Sequence, residues 1–177
     1  GFAIHRLERE NSAARFNYSS ASKHVSLDHS IFLSAVINLA GPSIADGRWT
    51  ASRKQELLES RVEITTALAT ALAAAPKPPA LFLSASAVGF YGASTLPLSE
   101  EAPAGGGYLA SLATRWEAAT APAQRVGIPT THLRFGVVLS TKGGVLGKLM
   151  LPFSLCVGGR LGNGHQPMSW IALPDVL

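Results

Sequence analysis

The run Ser84-Ala85-Ser86-Ala87-Val88-Gly89-Phe90-Tyr91-Gly92 places two hydroxyls directly after a short apolar stretch, Ala80-Leu81-Phe82-Leu83. Such a stretch reads as a buried parallel strand, so the hydroxyls fall where that strand leaves its sheet. Ligands of open α/β sheets bind outside those carboxyl ends. The small residues around the hydroxyls let a flat ligand approach the backbone. The pattern points to a serine in contact with a reacting hydroxyl or carbonyl beside a bound cofactor. Ser86 is the candidate for that contact; Ser84, two residues back, reads more as a structural hydroxyl. For both, a packed turn hydroxyl is the alternative. A second group, Arg160, His165, Gln166 and Trp170, lies in or just after the glycine-rich stretch Gly158–His165. An arginine, an imidazole and an amide suit an anionic or hydroxylated substrate, and as loop residues they read equally as surface.

The elements that must position these groups follow from apolar spacing. Phe2–Leu7 reads as a short strand, and the polar, serine-rich Asn11–Ser30 as a loop. Ile31–Leu39 is a β-rich run ending in Asn38-Leu39-Ala40-Gly41. A helix is expected from Thr50, whose hydroxyl caps it, to about Ala75, with Leu57, Leu58, Val62, Leu68 and Leu72 on its apolar face. Pro76, Pro78 and Pro79 end it. After the serine-rich turn, Ser94–Gly107 is a loop, Tyr108–Ala123 a second helix, and Thr130–Leu139 a strand. Val145–Phe153 is mixed in character, and Ser169–Leu173 is a short strand. Strands alternating with long helices argue for βαβ units and a parallel sheet.

Composition narrows the function classes. The chain has 177 residues, 47% hydrophobic and 15% charged, which suits one domain with a sizeable core. No apolar stretch approaches the ~20 residues of a membrane-spanning helix. The net charge is +4, but the basic residues are scattered and do not interleave with aromatics, so nucleic-acid binding has little support. The single cysteine, Cys156, has no metal-ligand spacing around it and reads as a packed thiol in a reducing compartment. No His, Cys or acidic spacing suggests a metal site. His132, on an apolar strand, reads as a satisfied core or surface histidine.

Taken in order, several segments resemble the short-chain dehydrogenase/reductase superfamily. The nearest likeness is to its atypical, extended-type NAD-dependent epimerase/dehydratase family, also described as nucleotide-sugar epimerases or cell-division-inhibitor-like proteins. The residues that carry it are Val36–Gly41, Arg48-Trp49, Ser60-Arg61-Val62 with Thr65-Thr66, and Ser84–Gly92. They continue with Trp116-Glu117, Leu133–Ser140, Gly143-Gly144, Gly158–Gly162, Gly164-His165-Gln166, Ser169-Trp170-Ile171 and Asp175. The resemblance implies an α/β, doubly wound parallel-sheet Rossmann-like domain over residues 1–155. Residues 156–177 would begin the substrate-binding region. Family members carry a strand, a glycine-rich dinucleotide loop and a helix before the segment resembling Gly1–Arg9, and they continue past Asp175. The domain is therefore expected to be incomplete at both ends. No Gly-x-x-Gly-x-x-Gly phosphate cradle occurs in the chain, and the Gly158–Gly164 cluster does not replace it.

The resemblance also assigns roles. Asn38, Leu39, Ala40 and Gly41 would run along the adenosine and ribose of the cofactor, with Ser84 and Ala85 also on the cofactor side. Arg9 falls where the superfamily's second strand ends; an arginine there favours a 2′-phosphate, hence NADP over NAD, although a surface arginine is nearly as good a reading. Ser86 would hold the substrate oxygen. Tyr108, 22 residues later, would be the catalytic phenol, but Leu112 stands four residues on, where the family has its activating lysine. Tyr91 is a second phenol, of a kind that packs beside the nicotinamide in extended members. Arg160, His165, Gln166 and Trp170 would line a substrate pocket. The expected function is an NADP-dependent oxidoreductase or epimerase acting on a small, nucleotide-sugar-like molecule. The alternative is a non-catalytic NADP(H) sensor or scaffold. A homodimer through the long helices and a cytoplasmic or organellar-matrix location complete the expectation, with no membrane or nucleic-acid partner.

Overall fold

A computed structural model describes residues 3–9, 14, 16–160 and 162–176. Its elements are strands β1 (Glu8–Arg9), β2 (Phe16–Ser19), β3 (His24–Leu27) and β4 (Ala35–Asn38), helix α1 (Ala51–Ala73), and strand β5 (Leu81–Ala87). A single 3₁₀ turn, Val88–Tyr91, follows. Then come helices α2 (Tyr108–Ala118) and α3 (Ala121–Arg125), strands β6 (Thr130–Phe135) and β7 (Val137–Leu139), helix α4 (Gly144–Ser154), strand β8 (Trp170–Ala172) and the short helix α5 (Leu173–Val176). The strands form three sheets, ordered β1-β2-β3, β4-β5-β6 and β7-β8. β4 and β5 are parallel, with Asn38 opposite Ser84, and β7 and β8 are parallel. The fold is α/β, as the alternation of elements implies. Among the described residues no helix is long and apolar enough to cross a membrane.

The chain divides into two compact units. One comprises Gly1–Pro42, Trp49–Ala85 and Arg115–Leu133, the other Ser43–Arg48, Ser86–Thr114 and Arg134–Leu177. The first unit holds a core of Tyr18, Val25, Leu68, Ala69, Leu72, Phe82, Ala123 and Ile128. Helix α1 supplies its largest face. Thr50 caps the helix by accepting from Arg53 N at 3.2 Å, satisfying one of the orphan donors of the first turn. Leu57, Leu58, Arg61, Thr65, Leu68, Ala69 and Leu72 are buried, a spacing of three and four that keeps them on one side. The apolar reading of this face placed Val62 there; the structure buries Arg61 and Thr65 instead and leaves Val62 half-buried.

Several boundaries differ from the sequence expectation, each for a local reason. Residues 3–7 are not strand, and the first strand is Glu8–Arg9. Within the polar stretch 11–30, β2 and β3 form an antiparallel hairpin pairing Phe16 with Leu27 and Tyr18 with Val25. Its buried side chains alternate, and a period of two survives inside a serine-rich segment. Strand β5 runs on through the serines to Ala87, because Ser84, Ala85 and Ser86 are small enough to be buried in succession. The second helix breaks at Ala119–Thr120, ahead of Pro122, whose ring would meet the carbonyl of residue 118 in a continuous helix. The long strand ending at Leu139 splits at Gly136, where an added Cβ would lie 2.8 Å from Ser169 O. That close approach lets Val137 N donate to Ser169 O at 2.8 Å and start the β7–β8 pair. The mixed segment 145–153 is helix α4, with Pro152 inside it.

Candidate functional site

In the first unit, the turn at the carboxyl end of β4 is built around Asn38. Its side chain is buried at 4% exposure. Nδ2 donates to Thr65 Oγ1 at 2.8 Å and to Ser84 Oγ at 3.3 Å, while Oδ1 accepts from Ala40 N at 3.1 Å. The amide is thus used within the protein, tying strand β4 to α1 and β5 and bending the chain at Ala40. Thr65 Oγ1 accepts a second bond from Trp116 Nε1 at 3.1 Å, so both of its lone pairs are engaged. Trp116 is buried. Ser84 is fully buried and holds Asn38, and Ala85 is buried beside it. Leu39 and Gly41 are exposed and Ala40 half-buried, so the outward face of the turn is backbone, one methyl and the Leu39 side chain.

A cation lies beneath this turn. Arg61 is buried at 7% exposure, with its guanidinium 5.2 Å over the Trp116 ring. Nη1 donates to Leu57 O at 3.1 Å and Nη2 to Pro42 O at 2.7 Å. Gly41, at φ +152°, packs against it so closely that a Cβ would sit 2.9 Å from Arg61 Cζ. The sequence pattern contained Arg61 and Thr65, but nothing in their types announced that they turn inward. Their separation of four residues on one helix face was the available signal. His132, in the same unit, pairs its Nε2 with Thr120 Oγ1 at 2.9 Å and is the satisfied histidine its strand position suggested. The Arg9 side chain lies outside what the structure describes.

The second unit carries the residues nominated for chemistry. Ser86 is buried at 3% exposure near the end of β5. Tyr108 is half-buried and opens α2. Leu112 stands one turn after it, buried at 5% exposure, and Arg115 is exposed about two turns along the helix. Tyr91 ends the 3₁₀ turn and accepts a hydrogen bond from Arg134 Nη1 at 2.8 Å. Arg134 also donates to Glu100 O at 3.0 Å and stacks over Phe90, its Cζ 3.6 Å from the ring centroid. This cluster was not anticipated from sequence. Arg160, His165, Gln166 and Trp170 are all exposed, Trp170 on β8 and the others in the preceding loop. Asn163 Oδ1 accepts from His165 N at 2.9 Å, and the Arg160 stem lies against Gly164. Cys156 is exposed, not packed. Among the described residues no group of three or more His, Cys, Asp or Glu is placed to hold a metal ion. A groove lined by His24, Val25, Leu27, His29, Ala71 and Ala74 shares no residue with these candidates.

Residues 4–176 match the model of the NAD dependent epimerase/dehydratase family. The chain belongs to that family. An epimerase family protein of Mycobacterium tuberculosis is 46% identical to this family member over 142 residues, 80% of this chain and 46% of the relative. The structure of a nucleoside-diphosphate sugar epimerase from Corynebacterium glutamicum is 39% identical, with a TM-score of 0.68 over 81% of this chain and 30% of that one. The human epimerase family protein SDR39U1, solved with NADPH, is 35% identical, with a TM-score of 0.74 over 82% of this chain and 50% of that one. The family member described here spans about half the length of the curated relatives it matches. These likenesses give its α/β architecture as that of Rossmann-like epimerases.

Proposed function

We propose that this chain is the cofactor-binding part of an NADP-dependent extended short-chain dehydrogenase/reductase acting on a nucleotide-sugar-like substrate. The observation that carries the reading is the turn Leu39–Gly41. It is outward-facing backbone at the carboxyl end of a parallel strand, pinned from beneath by buried Asn38. No side chain beyond a methyl stands at positions 40 and 41, so an adenosine or ribose can lie against the backbone. Asn38, Ser84 and Ala85 support that surface from within. Arg9 would meet the 2′-phosphate, and the human relative solved with NADPH favours the same choice. When bound, the nicotinamide supplies hydride transfer. Ser86 orients the substrate oxygen and the Tyr108 phenol exchanges a proton with it, unaided by a lysine at position 112. Arg160, His165, Gln166 and Trp170 belong to the start of a substrate-binding region from residue 156 onward. A homodimer in the cytoplasm or an organellar matrix completes the proposal.

Buried Leu112 favours a second reading, a protein that binds NADP(H) without turnover, as a sensor or scaffold. The two are separated by solvent-isotope or deuteride exchange from labelled NADPH in the full-length protein. Exchange that falls at least tenfold in Tyr108→Phe supports the enzyme. Saturable NADPH binding with no exchange supports the sensor.

A further inference from the structure

The sequence of contacts around Tyr91 leaves one proton with a fixed direction. A guanidinium has donors and no acceptor, so in the 2.8 Å bond between Arg134 Nη1 and Tyr91 Oη the phenol oxygen must accept. The phenolic hydrogen therefore points away from Arg134. Among the described residues no acceptor takes it. The phenol is also held in place. Its ring meets Phe90 edge-on, with centroids 5.3 Å apart at 86°. Phe90 is in turn covered by the Arg134 guanidinium, which is anchored by Glu100 O at 3.0 Å. Gly105 N donates to Phe90 O at 2.9 Å, closing the loop back on the 3₁₀ turn. A half-buried hydroxyl with its lone pair spent on a cation, its ring wedged and its hydrogen unspent is preorganised to donate. It sits four residues past the last residue of β5, in the region where α/β folds take their ligands.

We infer that Tyr91 donates a hydrogen bond to an electron-rich oxygen of the bound ligand, and that Arg134 is the positioning residue that aims it. The charge of Arg134 behind the phenol favours a carbonyl, hydroxyl or phosphoryl oxygen carrying negative charge. This deepens the reading of the same site and rests on it for the ligand class, a nucleoside diphosphate sugar with NADP. It gives the site a phenol whose oxygen accepts from a cation.

The test is carbon-13 NMR of the full-length protein labelled at tyrosine Cζ, with the Tyr91 signal assigned by its loss in Tyr91→Phe. Three additions distinguish the source of the oxygen: NADP⁺ alone, NADP⁺ with UDP, and NADP⁺ with UDP-glucose. The Tyr91 signal is expected to shift in at least one arm, and in that arm Tyr91→Phe weakens binding about tenfold, the worth of one good hydrogen bond. Arg134→Met is expected to abolish the shift while Tyr91 is still present, and Arg134→Lys to restore part of it. A change of stability alone would not produce that pattern. No shift in any arm, or Tyr91→Phe binding within twofold of the parent, overturns the inference. A parallel titration of the same protein with NADPH, followed by nicotinamide fluorescence, reports on the cofactor reading separately. NADPH that binds while Tyr91 stays silent defeats this inference alone. A Tyr91 response to UDP-glucose without NADPH binding defeats only the cofactor reading.

Discussion

Replacing Thr65 by valine removes one oxygen and almost no volume, which makes it a clean probe of the buried network under the Asn38–Gly41 turn. Thr65 is fully buried, and its Oγ1 accepts from Asn38 Nδ2 at 2.8 Å and from Trp116 Nε1 at 3.1 Å. Without it the Trp116 N–H has no partner in a residue only 7% exposed. Asn38 keeps Ser84 for one of its two amide hydrogens and loses the acceptor of the other. A buried donor left unmade costs about 1–3 kcal/mol, so two of them, partly relaxed, cost about 2–4 kcal/mol. For a domain of this size that lowers Tm by roughly 10 °C. Urea unfolding followed by circular dichroism gives the free energy, with Thr65→Ser as the control that retains the oxygen and stays within about 1 kcal/mol. A double cycle with Trp116→Phe is expected to be non-additive, since the second substitution removes the donor that the first one orphans. Thr65→Val within about 0.5 kcal/mol of the parent, or strict additivity with Trp116→Phe, refutes the network.

Three further outcomes follow from single contacts. Thr50→Ala loses the cap on Arg53 N and should destabilise α1 by about 1 kcal/mol, read by urea unfolding. Gly41→Ala forces a side chain onto φ +152° and into the bound Arg61 guanidinium, at a cost of about 1–3 kcal/mol, with NADPH affinity falling in parallel in a fluorescence titration. The side-chain hydrogen bond from Lys23 to Glu63, then the charge of Glu63, hold the Lys23 pKa above 10.5. A raised lysine pKa stabilises the fold below the unfolded value and loses that contribution as pH rises through the folded value, so stability changes with pH through this pair only in alkaline solution. In Glu63→Gln the Lys23 titration, followed by NMR of its Cε, should move back down toward 10.5; an unmoved titration denies the pairing.

Much of the frame was legible because it rests on strong local signals. The capped helix from Thr50, the proline stop at 76–79 and the apolar run at Leu81 are each dictated by chain chemistry close in sequence. The hairpin at Phe16–Leu27 was hidden because its alternation covers only four residues per strand within a serine-rich context. Strand β5 was read too short, since small polar residues that a turn favours are also the ones that fit a crowded sheet. For the site, the place of the serines at a strand end nominated Ser86, and the family resemblance nominated Tyr108 and Asn38–Gly41. Sequence could not place Arg61 under Gly41, nor join Arg134 to Tyr91 across 43 positions, because a buried arginine is defined by partners that only the fold brings together.

We propose that the turn built on Asn38 belongs to an NADP site. Titration of the full-length protein with NADPH, followed by nicotinamide fluorescence and repeated with NADH, tests it most directly. Saturable one-to-one NADPH binding is expected, about tenfold or more tighter than NADH, and weakened in Gly41→Ala and in Arg9→Ala. No NADPH binding at millimolar concentration, or binding indifferent to both substitutions, contradicts it.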